Sequence, residues 1–368
     1  MTLHVTKEVP SSFQALGKTW RTLEARVQAS FFQSWTWVGC LAGERYSNPV
    51  LLRAERDGQL AGLALLNRRG STLHLTESGM AELDRPFVEH NGPLAQDAET
   101  AAALLRAALG LAGIRTVSVP GGLPALIVGS GGEVLRQRIL VARYVDLDHV
   151  RAGGVDYLDT LSPNTRQQIR RSMRLLARQG PLRLTAARTE AELLAWQEEL
   201  VALHTARWDD VGKPGAFATP FLRRFHQALM HEALRRGELD LLRVTSGDRT
   251  VGVLYNFRYG GRVYAYQAGL AGFAGQPQLK PGLTCHALAV QEALARGDSS
   301  YDFLAGDYRY KTSLAAASQH LAWTELVRPG SLLGLLLRVR RRLRPVTGFD
   351  RHDRRSTDAA RPSLDPVL

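Results

Sequence analysis

A stretch of the chain occurs twice. Leu51–Met80 aligns without a gap on Leu241–Leu270, with Leu51/Leu241, Leu52/Leu242, Arg53/Arg243, Gly62/Gly252, Arg68/Arg258, Gly70/Gly260 and Gly79/Gly269 identical. Self-similarity on this scale limits the fold to two copies of one supersecondary plan. In each copy a strand (Val50–Glu55; Leu239–Val244) enters a turn on Asp57-Gly58 or Gly247-Asp248, and a second strand follows (Leu60–Leu66; Val251–Phe257). Gly70, or Gly260-Gly261, turns the chain into a third strand, Arg262–Leu270 in the second copy. Gly and Asp supply the positive φ that tight hairpin turns require. A helix (Ala98–Leu111; Leu283–Arg296) and a short strand (Arg115–Val119; Tyr301–Leu304) complete each copy. The pattern predicts an α+β (α/β) chain. Each half is an antiparallel meander followed by strand–helix–strand, and a right-handed crossover makes the last two strands parallel.

At 368 residues the chain has the length of two domains. The repeat puts them at 1–150 and 151–330, with Pro329-Gly330 closing the folded part and 331–368 as a tail. Between the copies Ser162-Pro163 opens a helix, as N-cap and first-turn proline, and Gly180 closes it. A strand (Leu182–Ala187) and a helix (Glu190–Trp208) come next. Met1–Pro10 has no apolar segment of the signal-peptide kind. The longest apolar run, Leu332–Leu337, is far short of a membrane span. Cys40 and Cys285 make no disulfide framework. A cytoplasmic protein is expected.

The net charge of +12 is concentrated in two segments. Ser162–Gly180 holds Arg166, Arg170, Arg171, Arg174 and Arg178 and no acid. The fourfold spacing of Arg166, Arg170, Arg174 and Arg178 makes either a solvated face or a phosphate-binding one. Ser331–Leu368 holds nine Arg and four Asp. Its first part mixes leucine with Arg338, Arg340, Arg341, Arg342 and Arg344, which suits a short helix making peripheral contact with an anionic membrane through 331–344, or a basic tail without structure. Asp350–Leu368 reads as disordered.

Three stretches carry a family resemblance: Leu203-His204-Thr205-Ala206-Arg207-Trp208, Lys280-Pro281-Gly282-Leu283, and Tyr301-Asp302-Phe303-Leu304-Ala305-Gly306-Asp307-Tyr308-Arg309-Tyr310-Lys311. With Phe32–Trp37 and the helix bearing Arg170-Arg171, they resemble the CelD-type acetyltransferases of the GNAT superfamily, relatives of the FemAB peptidyltransferases. The resemblance implies two tandem GNAT-like domains, each a mixed, mostly antiparallel sheet flanked by helices. The N-terminal copy has only Val119-Pro120-Gly121-Gly122 after its last strand, without Asp, Tyr or Lys, and is read as degenerate. In such folds the third meander strand and the next parallel strand splay, and the arm of acyl-CoA enters the gap as an added strand would. The helix between them points its N-terminus at the pyrophosphate. Here the splaying pair is Arg262–Leu270 with Tyr301–Leu304, and the anion loop Ala271–Thr284 brings Lys280, Gly282, Leu283 and Thr284 to the donor. Pro281 stands where the family signature has its first Gly. The implied activity is acyl-CoA-dependent (acetyl-CoA-dependent) N-acyl transfer to a small-molecule or carrier-linked amine acceptor, of the kind used in polysaccharide or envelope biosynthesis. Aminoacyl-tRNA as donor, and a non-catalytic envelope-assembly protein, are the other two readings.

Aminolysis of a thioester needs a deprotonated amine, a stabilised oxyanion and a protonated leaving thiolate. Asp307, Tyr308, Tyr310 and Lys311 follow the last strand, at the carboxyl edge where such sites collect. Asp307 could take a proton or hold the ammonium, a tyrosine could return one to sulfur, and Lys311 could hold a phosphate or the acceptor. The same residues would also make a salt-bridged turn. His204, beside Arg207 and Trp208, is either a base or acceptor contact, or a structural histidine. The amides near Tyr266-Gln267 would supply the oxyanion donor, by fold analogy. No metal is expected: His231-Glu232 lacks a second histidine, and no cysteine pair has zinc spacing. There is no P-loop and no Gly-x-Ser-x-Gly elbow.

Overall fold

The structure, a computed structural model, describes residues 2–343 except Val211 and Asp307, with side chains as far as Arg340. It falls into two compact units: residues up to Ile139 together with those from Leu321, and Leu140–His320. In chain order the first unit runs β1 (Leu3–Glu8), α1 (Phe13–Glu24), α2 (Trp35–Val38), α3 (Ala42–Arg45), β2 (Pro49–Arg56), β3 (Gln59–Arg69), β4 (Thr72–Leu75), β5 (Leu94–Ala95), α4 (Ala98–Gly110), β6 (Thr116–Gly122) and α5 (Pro124–Gly129). Strand β7 (Glu133–Asp146) leads into the second unit. This holds α6 (Leu147–Ala152), α7 (Pro163–Ala177), β8 (Leu182–Ala186), α8 (Glu190–Asp210), α9 (Pro220–Arg235), β9 (Leu239–Ser246), β10 (Arg249–Tyr259), β11 (Arg262–Leu270), α10 (Pro281–Ala295), β12 (Ser300–Ala305) and α11 (Arg309–Leu314). Strand β13 (Ala317–Val327) returns the chain to the first unit, which ends with α12 (Leu332–Leu343).

The repeat in the sequence is a repeat of hydrogen-bond register. In the first unit β1, β2, β3 and β4 are antiparallel neighbours, β6 is parallel to β4, and β13 is antiparallel to β6. In the second, β8, β9, β10 and β11 are antiparallel, β12 is parallel to β11, and β7 is antiparallel to β12. Arg53 faces Leu63 as Arg243 faces Val253, and Leu66 faces Leu75 as Asn256 faces Ala265. Thr72 faces Thr116 as Arg262 faces Ser300. The register slips at the same place in both β2/β3 and β9/β10, just after Ala54 and Val244. Each unit is thus a mixed, mostly antiparallel sheet with its own core. In the first, Leu104, Leu105 and Ala108 of α4 pack on Leu52, Leu66 and Val117; in the second, Ala287, Val290 and Ala293 of α10 pack on Val251, Leu254 and Val263. The sequence placed the division near residue 150 and ended the folded part at Pro329-Gly330. The contacts divide the chain at Ile139/Leu140 instead, β13 completes the first sheet, and a helix follows Gly330.

The two units differ where their parallel strands end. In the second, the β11/β12 pairing spans only Arg262–Tyr264 with Ser300–Asp302, although both strands continue. Two bulges bend them there. On β11, Tyr255 faces Gln267 and Asn256 faces Ala265, so Tyr266 is the extra residue. On β12, Asp302 faces Tyr144 and Ala305 faces Ala142, which leaves an extra residue before Ala305, and Leu304 takes φ 63°. A bulge bends its strand and breaks the ladder, so the β11/β12 pairing stops at Tyr264 and the two strands part beyond it. In the first unit the corresponding gap is filled by chain. The Asn91 amide donates to the Gly121 carbonyl (3.0 Å), and its side chain donates to the Leu75 carbonyl at the end of β4 (3.3 Å). Gly121 has φ 62°, and a Cβ there would lie 2.4 Å from the Val88 carbonyl oxygen. Gly121→Ala should therefore cost about 2–4 kcal/mol, measured by urea unfolding; a loss under about 0.5 kcal/mol would show that the loop does not fill the gap.

Candidate active site

The gap in the second unit opens on a cavity of about 440 Å³. Its floor is the start of α10. Pro281 occupies the first turn, where its missing N–H costs nothing, and the Gly282 and Leu283 amides belong to the turn whose donors a helix leaves without internal partners. Three cations line the cavity: Arg207 from α8, Lys280 before α10, and Arg309 from α11. No carboxylate lines it among the described residues. Asn164, Thr165 and Gln168 from α7 and Phe273 from the loop complete the wall. Helix end and cations give one sign of potential, which favours an anion.

A second cavity, about 50 Å³, lies in the gap itself, against Ala265–Ala268 of β11. Its rings are His204, Trp208, Tyr266, His286 and Tyr310, and it shares Arg207, Leu270 and Tyr310 with the larger cavity. Tyr310 stacks on His286 (5.8 Å, 19°) and on Tyr308 (6.3 Å, 15°). Tyr310 and Arg207 therefore stand where the two spaces meet. Burial draws the Arg207 guanidinium below its usual value, opposed by the charge of Asp210. It remains a cation at neutral pH.

The segments quoted from the sequence line these spaces, and for several side chains the structural one of the two readings left open is the one observed. His204 is 3% exposed, and both ring nitrogens are engaged. Nε2 accepts from the Ala216 amide (3.0 Å), which leaves Nδ1 to carry the proton and donate to the Ala268 carbonyl (3.0 Å). Burial pulls its pKa down to about 4. Instead of the base that the sequence allowed, His204 is a neutral clamp on β11. Lys311 is buried and donates from Nζ to the carbonyls of Leu304 (3.0 Å) and Ala305 (2.7 Å), with the Tyr308 ring 5.2 Å away. The Asp302 carboxylate accepts from the Leu304 amide (2.7 Å). Lys311 and Asp302 hold the β12 bulge, and thereby the gap; the Nζ expected on a phosphate, an acceptor or a carboxylate is on backbone carbonyls instead.

The remaining expectations divide similarly. Thr284 is fully buried, and its hydroxyl bonds to Ser172 Oγ of α7 (2.8 Å), which also accepts from the Lys280 amide (2.9 Å). It anchors the start of α10 and does not line the cavity. Arg170 pairs with Asp159 (2.9 Å), and neither it nor the exposed Arg171 lines either space. Lys280, Gly282, Leu283, Tyr310, Arg207, Trp208, Tyr266 and Gln267 all do. Tyr308 packs behind Tyr310, and Asp307 lies outside the described residues. Sequence reasoning missed the polar face of α7, Phe273, Arg309 and His286. Arg309 sat inside the quoted motif. Asn164, Thr165 and Gln168 are close enough in sequence to share one helix face, a signal outweighed by the arginines.

Residues 163–312 match the family model "Acetyltransferase (GNAT) domain". The match covers most of the second unit, whose fold is GNAT-like. The first unit repeats its strand order and register, so the chain is a tandem of two GNAT-like folds. No curated protein matches the chain in sequence. Among solved structures it is similar in fold to FemX (TM-score 0.55, 11% identity, 87% of this chain and 97% of FemX covered). It is also similar to the C-terminal domain of a putative lysylphosphatidylglycerol synthetase from Agrobacterium fabrum (0.55, 12%, 89% and 95%) and to L-PGS from Bacillus licheniformis (0.53, 12%, 89% and 95%). At these identities the likeness concerns the fold alone.

Proposed function

We propose that the chain is an acyl-CoA-dependent N-acyltransferase that works from its second unit on an amine acceptor. One observation carries this reading: where the β11/β12 ladder stops, a gap against Ala265–Ala268 shares Arg207, Leu270 and Tyr310 with a cavity lined by Arg207, Lys280 and Arg309 at the start of α10. The donor's phosphates meet the cations and the Gly282 and Leu283 amides, and its amide-bearing arm runs along β11 toward Tyr266. The volume lies within the range of ligand pockets. In the transfer, the neutral acceptor nitrogen bonds to the thioester carbon and loses a proton to water, and the C–S bond breaks. The β11 amides at the Tyr266 bulge stabilise the oxyanion. Tyr310, at the junction, gives its proton to the departing sulfur and recovers one from solvent. His204 takes no proton, since its one basic nitrogen already accepts from Ala216. The CelD-type resemblance, with a polysaccharide or envelope precursor as acceptor, belongs to this reading.

Titration calorimetry of the full chain with acetyl-CoA, longer acyl-CoA esters and deacylated bulk tRNA tests it. Saturable binding of a CoA ester in the micromolar range is expected. Silence with every ester together with saturable tRNA binding would reverse the donor, since the same cations suit a nucleic-acid phosphate.

A further inference from the structure

Helix α12 is amphipathic the wrong way round for a surface helix. Its glycine side faces inward: a Cβ on Gly334 would lie 2.2 Å from the Arg328 carbonyl oxygen in the turn that leads into the helix, and on the same side Arg338 pairs with Glu133 of β7 (2.9 Å). The leucines point elsewhere. Leu332 is 77% exposed, Leu336 59% and Val339 55%, at the i, i+4, i+7 spacing of one face. Leu333 and Leu335 are exposed beside them. From Ser331 to Pro345 the sequence contains Arg338, Arg340, Arg341, Arg342 and Arg344 and no acid. A helix of 12 residues is about 18 Å long, short of the ~30 Å hydrocarbon layer. No helix of the described residues is long and apolar enough to cross a membrane.

We infer that α12 is a docking helix for the surface of an anionic phospholipid bilayer. Its free leucine stripe enters the boundary between headgroups and acyl chains, and its arginines stay among the lipid phosphates. Three features of the helix choose this occupant. The stripe is apolar and continuous, which a purely electrostatic ligand would not use. The charge around it is of one sign, so it does not complement a second copy of itself. Gly334 and the Arg338–Glu133 pair hold the helix by its other side, so the stripe is already presented without unfolding.

Flotation of the full chain with vesicles tests this. On vesicles with roughly 30 mol% phosphatidylglycerol in phosphatidylcholine, binding is expected at low salt, with a partition coefficient at least about tenfold above that on pure phosphatidylcholine. Leu336→Asp with Val339→Asp should lower it by at least about tenfold. Both residues are exposed, so the unfolding temperature should not change. The proposal is overturned if the wild-type chain ignores anionic vesicles. It is overturned if the double variant binds them as well as the parent, which would make the segment a general polyanion binder. It also falls if the parent is a dimer that the double variant splits. CoA binding does not enter any of these readings.

Discussion

Lys280→Glu combined with Arg309→Glu should weaken binding of acetyl-CoA by more than about a hundredfold, because it turns a cavity with three cations into one with two carboxylates and Arg207. A unit charge near 5 Å is worth about 3 kcal/mol at an effective dielectric of 20, and less in a cavity open to solvent. Taking about 1 kcal/mol for each lost attraction and as much for each new repulsion gives about 4 kcal/mol, a factor near 10³. The helix end remains, so some binding survives. Two controls give the result meaning. Arg171→Glu reverses one charge, half the change made in the double variant, on the exposed face of α7 and should leave binding within about twofold, since the residue lines neither cavity. The parent's affinity should also fall more steeply with salt than the double variant's. Calorimetry that found equal affinities for the parent and the double variant would place the donor elsewhere.

Much of this was legible in the sequence because strand order is written locally. Gly70 and Gly260 mark hairpin turns, and alternating apolar runs mark strands. The expected third strand of the second copy, Arg262–Leu270, is the observed one. The short parallel pairing was inferred from the order of elements and is present at Arg262–Tyr264. The sixth strand of each sheet was not legible. β7 has a polar outer face and an irregular pattern, with Arg136 and Arg138 exposed, so its alternation is weak. Side-chain roles were harder still, because they depend on what the backbone leaves unpaired. Lys311 was read as holding a ligand or closing a salt-bridged turn; nothing local reveals that a bulge at Leu304 turns two carbonyls toward it. His204 was read as a candidate base, but Gly215, which lets the following amide approach its ring, lies on a separate loop. The arginines of α7 drew attention through composition, whereas two of them close on Asp159 and the quieter Asn164, Thr165 and Gln168 face the cavity.

Acid should unfold the second unit steeply between pH 6.5 and about 4, and the cause is three buried histidines. Burial draws His204 to about 4, His226 to about 3, with the nearby His204 adding to the effect, and His286 to about 3, with Lys311 adding to it. In the unfolded chain each titrates near 6.5. Below that value the unfolded state binds protons that the folded state refuses, so stability is complete above pH 6.5 and declines as the pH falls toward the folded values. Three such groups give a slope of up to about 4 kcal/mol per pH unit, which would exhaust a typical stability of about 5–15 kcal/mol within a few units. Asp97, whose carboxyl is held low by the Thr100 amide and by Arg56, lies in the first unit and adds its loss only below the usual carboxylate range. His226 separates this account from general acid unfolding. It is 1% exposed among Phe217, Phe225, Tyr255 and Tyr266, and neither ring nitrogen has a hydrogen bond of normal geometry. His226→Phe should therefore stay within about 1 kcal/mol of the parent at pH 8 and exceed it by about 2 kcal/mol at pH 5, as the arithmetic of a group moved from 6.5 to about 3 requires. Urea unfolding at the two pH values measures both. Equal pH dependence in parent and variant would mean that His226 takes up its proton in the folded state, and the acid sensitivity would then have to come from the carboxylates.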